Sequence, residues 1–411
     1  MSRAAALLPA VLAALALAPA AGAAAAPPGP GARCTFPAAD VGGQPWALRR
    51  VLLPQLWRSA TGKGVTVAVI DTGVGDTNPQ LRGAVTAGPD YLPGRSGNSL
   101  TDPDGHGTMV AGIIAARPSG ATGFVGLAPE AHILSIRQND TQGDGTPDTL
   151  AEAVDAAVAA HVGVVNISQD VTENGRPAPV APDSPLARAV ARAVAAGVVV
   201  VAAAGNEGLP LPTYPAALPG VLGVGASDRN DERDADFSET GSSVDVAAPG
   251  ADVVSTVPGG GQCVDSGTSF AAPYAAAVAA LLRQLHPGWT PAQVVARIEQ
   301  TAQRTGPGRN DFVGWGVVDP LAAVADPDPP ATAAVPDRAA ADPDPPVQPR
   351  PPRPPRLGGT QAAGERRTAA WILGLGALAV ALTAGTAIVL RDARRRPAAA
   401  QPSDRPPTER P

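Results

Sequence analysis

Four apolar runs rich in β-branched residues constrain the fold of this chain more than any other feature. They are Val65–Ile70, Ile133–Ile136, Gly163–Ile167 and Val198–Ala202, and each has almost no polar face. A strand with one wet face alternates apolar and polar residues; a strand without that alternation is covered on both sides. Between the runs lie Ala-rich stretches, Met109–Ala116, Thr149–Ala160 and Pro185–Ala196, with the composition of helices. Doubly covered strands alternating with helices predict an α/β domain, a parallel sheet with helices on both faces. In such sheets functional groups collect beyond the C-terminal ends of the strands.

Both ends of the 411-residue chain differ from this middle. Arg3, an Ala/Leu run and the small residues Ala20–Ala24 have the layout of a secretory signal peptide, here taken as residues 1–26. The competing reading is an uncleaved anchor, against which Pro9 and Pro19 interrupt the run. Residues 27–45 are a Pro/Gly-rich extension, 46–324 the globular unit and 325–368 a Pro-rich linker unable to bury a core. Residues 369–390 carry no charge and would span about 33 Å as a helix, enough for a bilayer. A buried core helix is the alternative, and the Pro-rich neighbour argues against it. Arg391, Arg394, Arg395 and Arg396 follow the span, against Arg366 and Arg367 before it, so residues 391–411 are expected in the cytoplasm and the globular unit outside. That places a single-pass protein in the cell membrane. Cys34 and Cys263 are the two cysteines, an even pair in an exported chain, which reads as a disulfide. The net charge of −6 gives no indication of nucleic-acid binding.

Three residues make a nucleophile constellation in the order Asp, His, Ser. Asp71 ends the first apolar run; His106 sits between Gly105 and Gly107 just ahead of a helical stretch; Ser269 leads into the apolar helix Tyr274–Leu285. Each has an ordinary structural reading when taken singly. Asp71 could be a turn residue, Ser269 a helix cap and Asn206, at the end of another strand, a turn asparagine. Together they supply what a serine needs: a base, a partner orienting that base, and a donor for the developing oxyanion. His132, His161 and His286 each fall at an element end, and only His106 is framed by glycines. Pro273 is read as lying in the first turn of the last helix, where proline is tolerated.

The segments Val69–Val74, Gly105–Thr108, Ala203–Asn206 and Gly267–Pro273 resemble the signatures of subtilisin-like serine peptidases. Further likeness lies in Gly126–Pro129, Tyr214–Ala216, Ala247–Gly250 and Gly314–Gly316. The resemblance implies endopeptidase activity on protein or peptide substrates, with Asp71, His106 and Ser269 catalytic and Asn206 at the oxyanion. It also implies a substrate pairing as an added β-strand with Gly143–Gly145 and Ser168–Asp170, and a pocket walled by Ala203–Gly205 and Tyr214–Ala216. Gln169 and Asp170 depart from that pattern, in which a small or apolar stretch ending in Gly is usual. The segment Asp140–Asp148 has the look of a calcium loop, but EF-hand position twelve is Ala151, and Glu152 falls one place late. Calcium is left open there without support, and no metal or cofactor is expected.

A cysteine-bearing extension too short for a folding prodomain, a Pro-rich spacer, one C-terminal membrane helix and a short basic tail together resemble the mycosins. These are membrane-anchored peptidases associated with type VII secretion in actinobacteria. The resemblance implies processing of secreted substrates or stabilisation of the secretion complex. A general cell-surface protease, or a mainly structural subunit of that complex, are the alternatives.

Overall fold

A computed structural model describes residues 34–92, 98–140, 145–173, 176–304, 306–337 and 361–393. The signal segment, Gly143 and most of the linker and tail lie outside the described residues. In chain order the elements are α1 (Trp46–Arg49), α2 (Leu53–Ser59), β1 (Thr66–Asp71), β2 (Val85–Asp90), α3 (His106–Ala115), β3 (His132–Arg137), α4 (Pro147–Ala159) and β4 (Val164–Ile167). There follow β5 (Thr172–Glu173), β6 (Arg176–Pro177), α5 (Pro185–Ala195), β7 (Val199–Ala203), β8 (Val221–Ser227), β9 (Val246–Pro249), β10 (Val253–Thr256) and β11 (Gln262–Asp265). The last are α6 (Thr268–Leu285), α7 (Pro291–Thr301), α8 (Pro320–Ala325) and α9 (Gln361–Ala393).

Seven strands form one sheet in the order β2-β3-β1-β4-β7-β8-β9, every neighbouring pair parallel. Side chains alternate between two buried faces. Val67 and Val69 of β1 join a core with α3 and α6, while Ala68 and Ile70 join another with α4 and α5. All four are fully buried. This is the physical reason the run has almost no polar residues. Burying a side chain of this size stabilises the fold by about 1.5–3 kcal/mol.

The chain lays strands to one side of β1, then to the other, so the winding direction reverses between β1 and β4. Loops leaving adjacent strands diverge there, opening a crevice at the C-terminal edge. The loops after β1, β4 and β7 border that crevice.

Helix α6 begins at Thr268, six residues earlier than Tyr274, and is buried through Leu282. Pro273 therefore lies inside the helix instead of in its first turn. A proline there removes the N–H that would bond the carbonyl of Ser269, four residues back. That carbonyl instead accepts a 2.7 Å hydrogen bond from Ser168 Oγ, so the helix interior bears the proline without an orphaned acceptor.

The N-terminal extension runs along the β10–β11 hairpin. Ala38 N donates to Gly260 O at 3.0 Å, Gln262 N to Ala39 O at 3.2 Å, and Val41 N to Gln262 Oε1 at 2.8 Å. Cys34 and Cys263 form a disulfide across this contact, with Cα atoms 6.0 Å apart. The first dozen residues of the linker follow α7: buried Arg297 donates to the carbonyls of Asp326 and Asp328, and Gln300 accepts from Val335 N at 2.8 Å. Helix α9 belongs to a separate unit and includes an apolar stretch, Glu365–Asp392, of 28 residues.

The disulfide predicts that neither cysteine in the folded protein reacts with iodoacetamide until reductant is added. Its intact mass should be two hydrogens below that of the dithiol. Alkylation of both thiols without reductant would refute the pairing.

Candidate active site

Asp71 is the last residue of β1, and His106 is the first of α3. Asp71 is 1 % exposed, and its Oδ1 lies 2.7 Å from His106 Nδ1. Thr72 supports the same oxygen through its N–H at 2.7 Å. Two glycines make this approach sterically feasible. A Cβ on Gly107 would meet Gly73 O at 2.0 Å and Asp71 Oδ1 at 3.1 Å. Gly105 caps the helix with φ 89°, and a Cβ there would meet the Phe36 ring at 2.9 Å.

Asp102, which sequence reasoning missed, fastens this corner. It is buried; its Oδ1 accepts from Thr72 Oγ1 and Gly105 N, each at 2.8 Å, and its Oδ2 from Thr108 N at 2.8 Å and Thr108 Oγ1 at 2.5 Å. One carboxylate thus ties the β1 end to the start of α3. Burial pushes its pKa up against these hydrogen bonds. The signal available in the sequence was an acidic residue four positions before His106.

Ser269 sits in the first turn of α6, where backbone N–H groups have no helical partners. Phe270 beside it packs its ring 5.2 Å from that of His106. A Cβ on Gly267 would fall 2.9 Å from Ser269 Oγ and 3.5 Å from Asn206 Oδ1, so the glycine keeps the space in front of both open. Asn206 follows β7, and its Oδ1 accepts from Thr268 N at 2.8 Å and Thr268 Oγ1 at 3.1 Å. With the carboxamide oxygen engaged, its Nδ2 is the end left for a ligand.

Ser168 Oγ takes a hydrogen bond from Asn166 Nδ2 at 2.8 Å and gives its own to Ser269 O. Gln169 turns its amide onto Gln138, whose backbone N–H bonds Asp71 O at 2.9 Å. That side chain ties two strand ends together. Val171 N donates to Tyr214 O at 2.7 Å, joining the loop after β4 to the Tyr214–Ala216 segment. Ala203 ends β7 in a buried position, and Gly205 (φ 104°) is pressed between Glu239 and Thr213. Gly145 packs against Gln138 and Asn139. Among the sites expected from sequence, Asp71, His106, Ser168, Gly205 and Asn206 are linked by direct contacts to the first turn of α6 that holds Ser269, and Tyr214 is joined to the loop after β4.

Electrostatics at His106 oppose one another. Burial alone pulls the imidazole pKa down, but the charge and hydrogen bond of Asp71, with Asp104 and Asp102 beyond, outweigh it and push the pKa up to about 9.

A doubly wound parallel sheet carrying a carboxylate–imidazole pair beside a helix-borne serine is the framework of a serine endopeptidase. Residues 62–316 match the Subtilase family, Peptidase S8. Mycosin-1 of Mycobacterium tuberculosis is 37 % identical over 397 residues, covering 84 % of this chain and 86 % of that protein. Subtilisin Savinase of Lederbergia lenta is 38 % identical over 280 residues, covering 68 % of this chain and 98 % of that one. The crystal structure of MycP1 with its N-terminal propeptide removed aligns with TM-score 0.61 at 37 % identity, over 68 % of this chain and 96 % of that chain. MycP3 protease from the type VII (ESX-3) secretion system aligns with TM-score 0.61 at 36 % identity, over 70 % and 90 %. The chain belongs to the Subtilase family, is a homologue of the mycosins, and is a serine endopeptidase.

An imidazole acting as base must be neutral, so a raised His106 pKa moves the acid limb of activity upward. The value of kcat/KM on a peptide substrate should rise with pH through a midpoint above 6.5, the ordinary histidine value, and be lost below it. A midpoint at or below 6.5 would remove Asp71 as the dominant influence on His106.

Proposed function

We propose that this chain is a membrane-anchored, extracytoplasmic endopeptidase of a type VII secretion pathway, with Asp71, His106 and Ser269 as its triad. The observation that carries the catalytic assignment is the 2.7 Å contact between Asp71 Oδ1 and His106 Nδ1, at the crevice that also holds Ser269. Ser269 Oγ attacks the scissile carbonyl as His106 Nε2 removes its proton. Asp71 holds the Nδ1–H tautomer and stabilises the imidazolium. The backbone N–H of Ser269 and Nδ2 of Asn206 donate to the oxyanion. His106 then protonates the leaving amine, and a water activated by the same imidazole releases the acyl group and regenerates Ser269.

Several observations support the pathway assignment. Similarity to Mycosin-1 spans 84 % of this chain, against 68 % for Subtilisin Savinase, and so reaches beyond the peptidase core. MycP1 and MycP3 are described as components of type VII secretion systems. The apolar span Glu365–Asp392 supports anchoring, and the arginines after it support a cytoplasmic C-terminus.

Substituting Asn206 by Ala should cost about 2.7–4 kcal/mol of transition-state stabilisation, the range found for such a donor in a subtilisin. This appears as a fall in kcat of roughly 100- to 1,000-fold with little change in KM; a change under about threefold would remove Asn206 from the oxyanion site. For the biological role, exported proteins cleaved in wild type are compared with those from Ser269→Ala and deletion strains. Loss of specific cleavages in both strains is expected. Secretion lost only on deletion would assign the essential role to scaffolding, and cleavages retained in Ser269→Ala would refute the assigned nucleophile.

A further inference from the structure

Two carboxylates that the triad does not use follow the loop residues bonded to the first turn of α6, and Oε2 of one of them, Glu207, accepts from Asn206 N at 3.1 Å. Ser168, which bonds the Ser269 carbonyl, is followed two residues later by Asp170; Asn206, which bonds Thr268, is followed at once by Glu207. The loops after β4 and β7 thus carry an acidic group each on the two banks beside the nucleophile. The two groups interact: the charge of Glu207 acts on Asp170. Oδ2 of Asp170 is buried and has no hydrogen-bond partner among the described residues.

The surroundings supply no cation to balance them. Asp170, Glu207 and Glu239 form no ion pair with Lys, Arg or His among the described residues. Glu239, from the loop between β8 and β9, accepts Glu207 N at 3.2 Å and Leu209 N, so it holds the Glu207 loop in place. Burial, then the neighbouring Glu207 carboxyl, push the Glu239 pKa up. Arg233 lies nearby but donates to the carbonyls of Ser238 and Asp234. Tyr214 lies on the adjoining wall, its carbonyl bonded by Val171 N. A desolvated carboxylate without a counter-charge is costly, and a bound cation with hydrogen-bond donors offsets that cost.

We propose that the crevice selects a basic side chain, arginine or lysine, at the substrate residue whose carbonyl Ser269 attacks, with Asp170 and Glu207 as the specificity-determining residues. The inference rests on Ser269 being the nucleophile. A side chain leaving that carbonyl passes between the Ser168–Val171 and Ala204–Glu207 banks. A guanidinium there meets Asp170 from one side and Glu207 from the other, and complementary charge of this kind gives specificity. Burial and the charge of Glu207 push Asp170 up to about 6, so the selectivity is present above that range and is lost as pH falls through it.

The test uses full-length protein in detergent micelles and two peptidyl phosphonates that differ only in carrying Arg or Leu at the reacting residue. A fluorophosphonate without such a side chain reports the nucleophile independently. The Arg probe should label about tenfold faster than the Leu probe near about pH 8. This ratio should fall towards pH 5 as Asp170 is protonated. Titration of His106 affects both probes alike and cancels in the ratio. Asp170→Asn and Glu207→Gln should each lower the ratio at least about threefold; if Asp170→Asn does not fold, exposed Glu207 carries the test. Equal or faster labelling by the Leu probe, or a ratio unchanged in the folded variants, overturns the selectivity while fluorophosphonate labelling upholds Ser269. Absence of labelling by all three probes overturns the nucleophile and the selectivity together.

Discussion

The contact between Asp71 and His106 is the constraint on which the crevice depends. It joins the last residue of a buried strand to the first residue of a helix, two elements that pack only if the backbone between them approaches very closely. Gly73 and Gly107 permit that approach, and Asp102 fastens it with hydrogen bonds from Thr72, Gly105 and Thr108.

The other half of the crevice is assembled by a different device. The loop after β4 and the loop after β7 both attach to the first turn of α6. Ser168 holds the Ser269 carbonyl, and Asn206 holds the Thr268 N–H. Pro273 is part of this arrangement, because its missing N–H leaves the Ser269 carbonyl for Ser168. The proline in the helix interior thus fixes the serine to the neighbouring strand end.

The sheet was legible in the sequence because burial on both faces removes polar residues from a strand, as in Val65–Ile70. The principal site residues were legible because strand ends and glycine-framed helix starts are local features. Asp102 was not, since a carboxylate that accepts four hydrogen bonds from three other residues shows no pattern in its own neighbourhood. The start of α6 was read too late: Ser269 reads as a possible cap and Pro273 as first-turn, whereas the helix already begins at Thr268 and holds Pro273 in its interior. Similarly, Arg297 gives no local sign that it holds the carbonyls of Asp326 and Asp328 and keeps the start of the linker on α7.

The account stands on one chemical claim, that Ser269 is made nucleophilic by His106. Peptide mapping after fluorophosphonate treatment of the full-length protein tests it most directly. A single adduct on Ser269, absent in His106→Ala as well as in Ser269→Ala, is the predicted result. An adduct on another residue, or His106→Ala labelled at the wild-type rate, would contradict it.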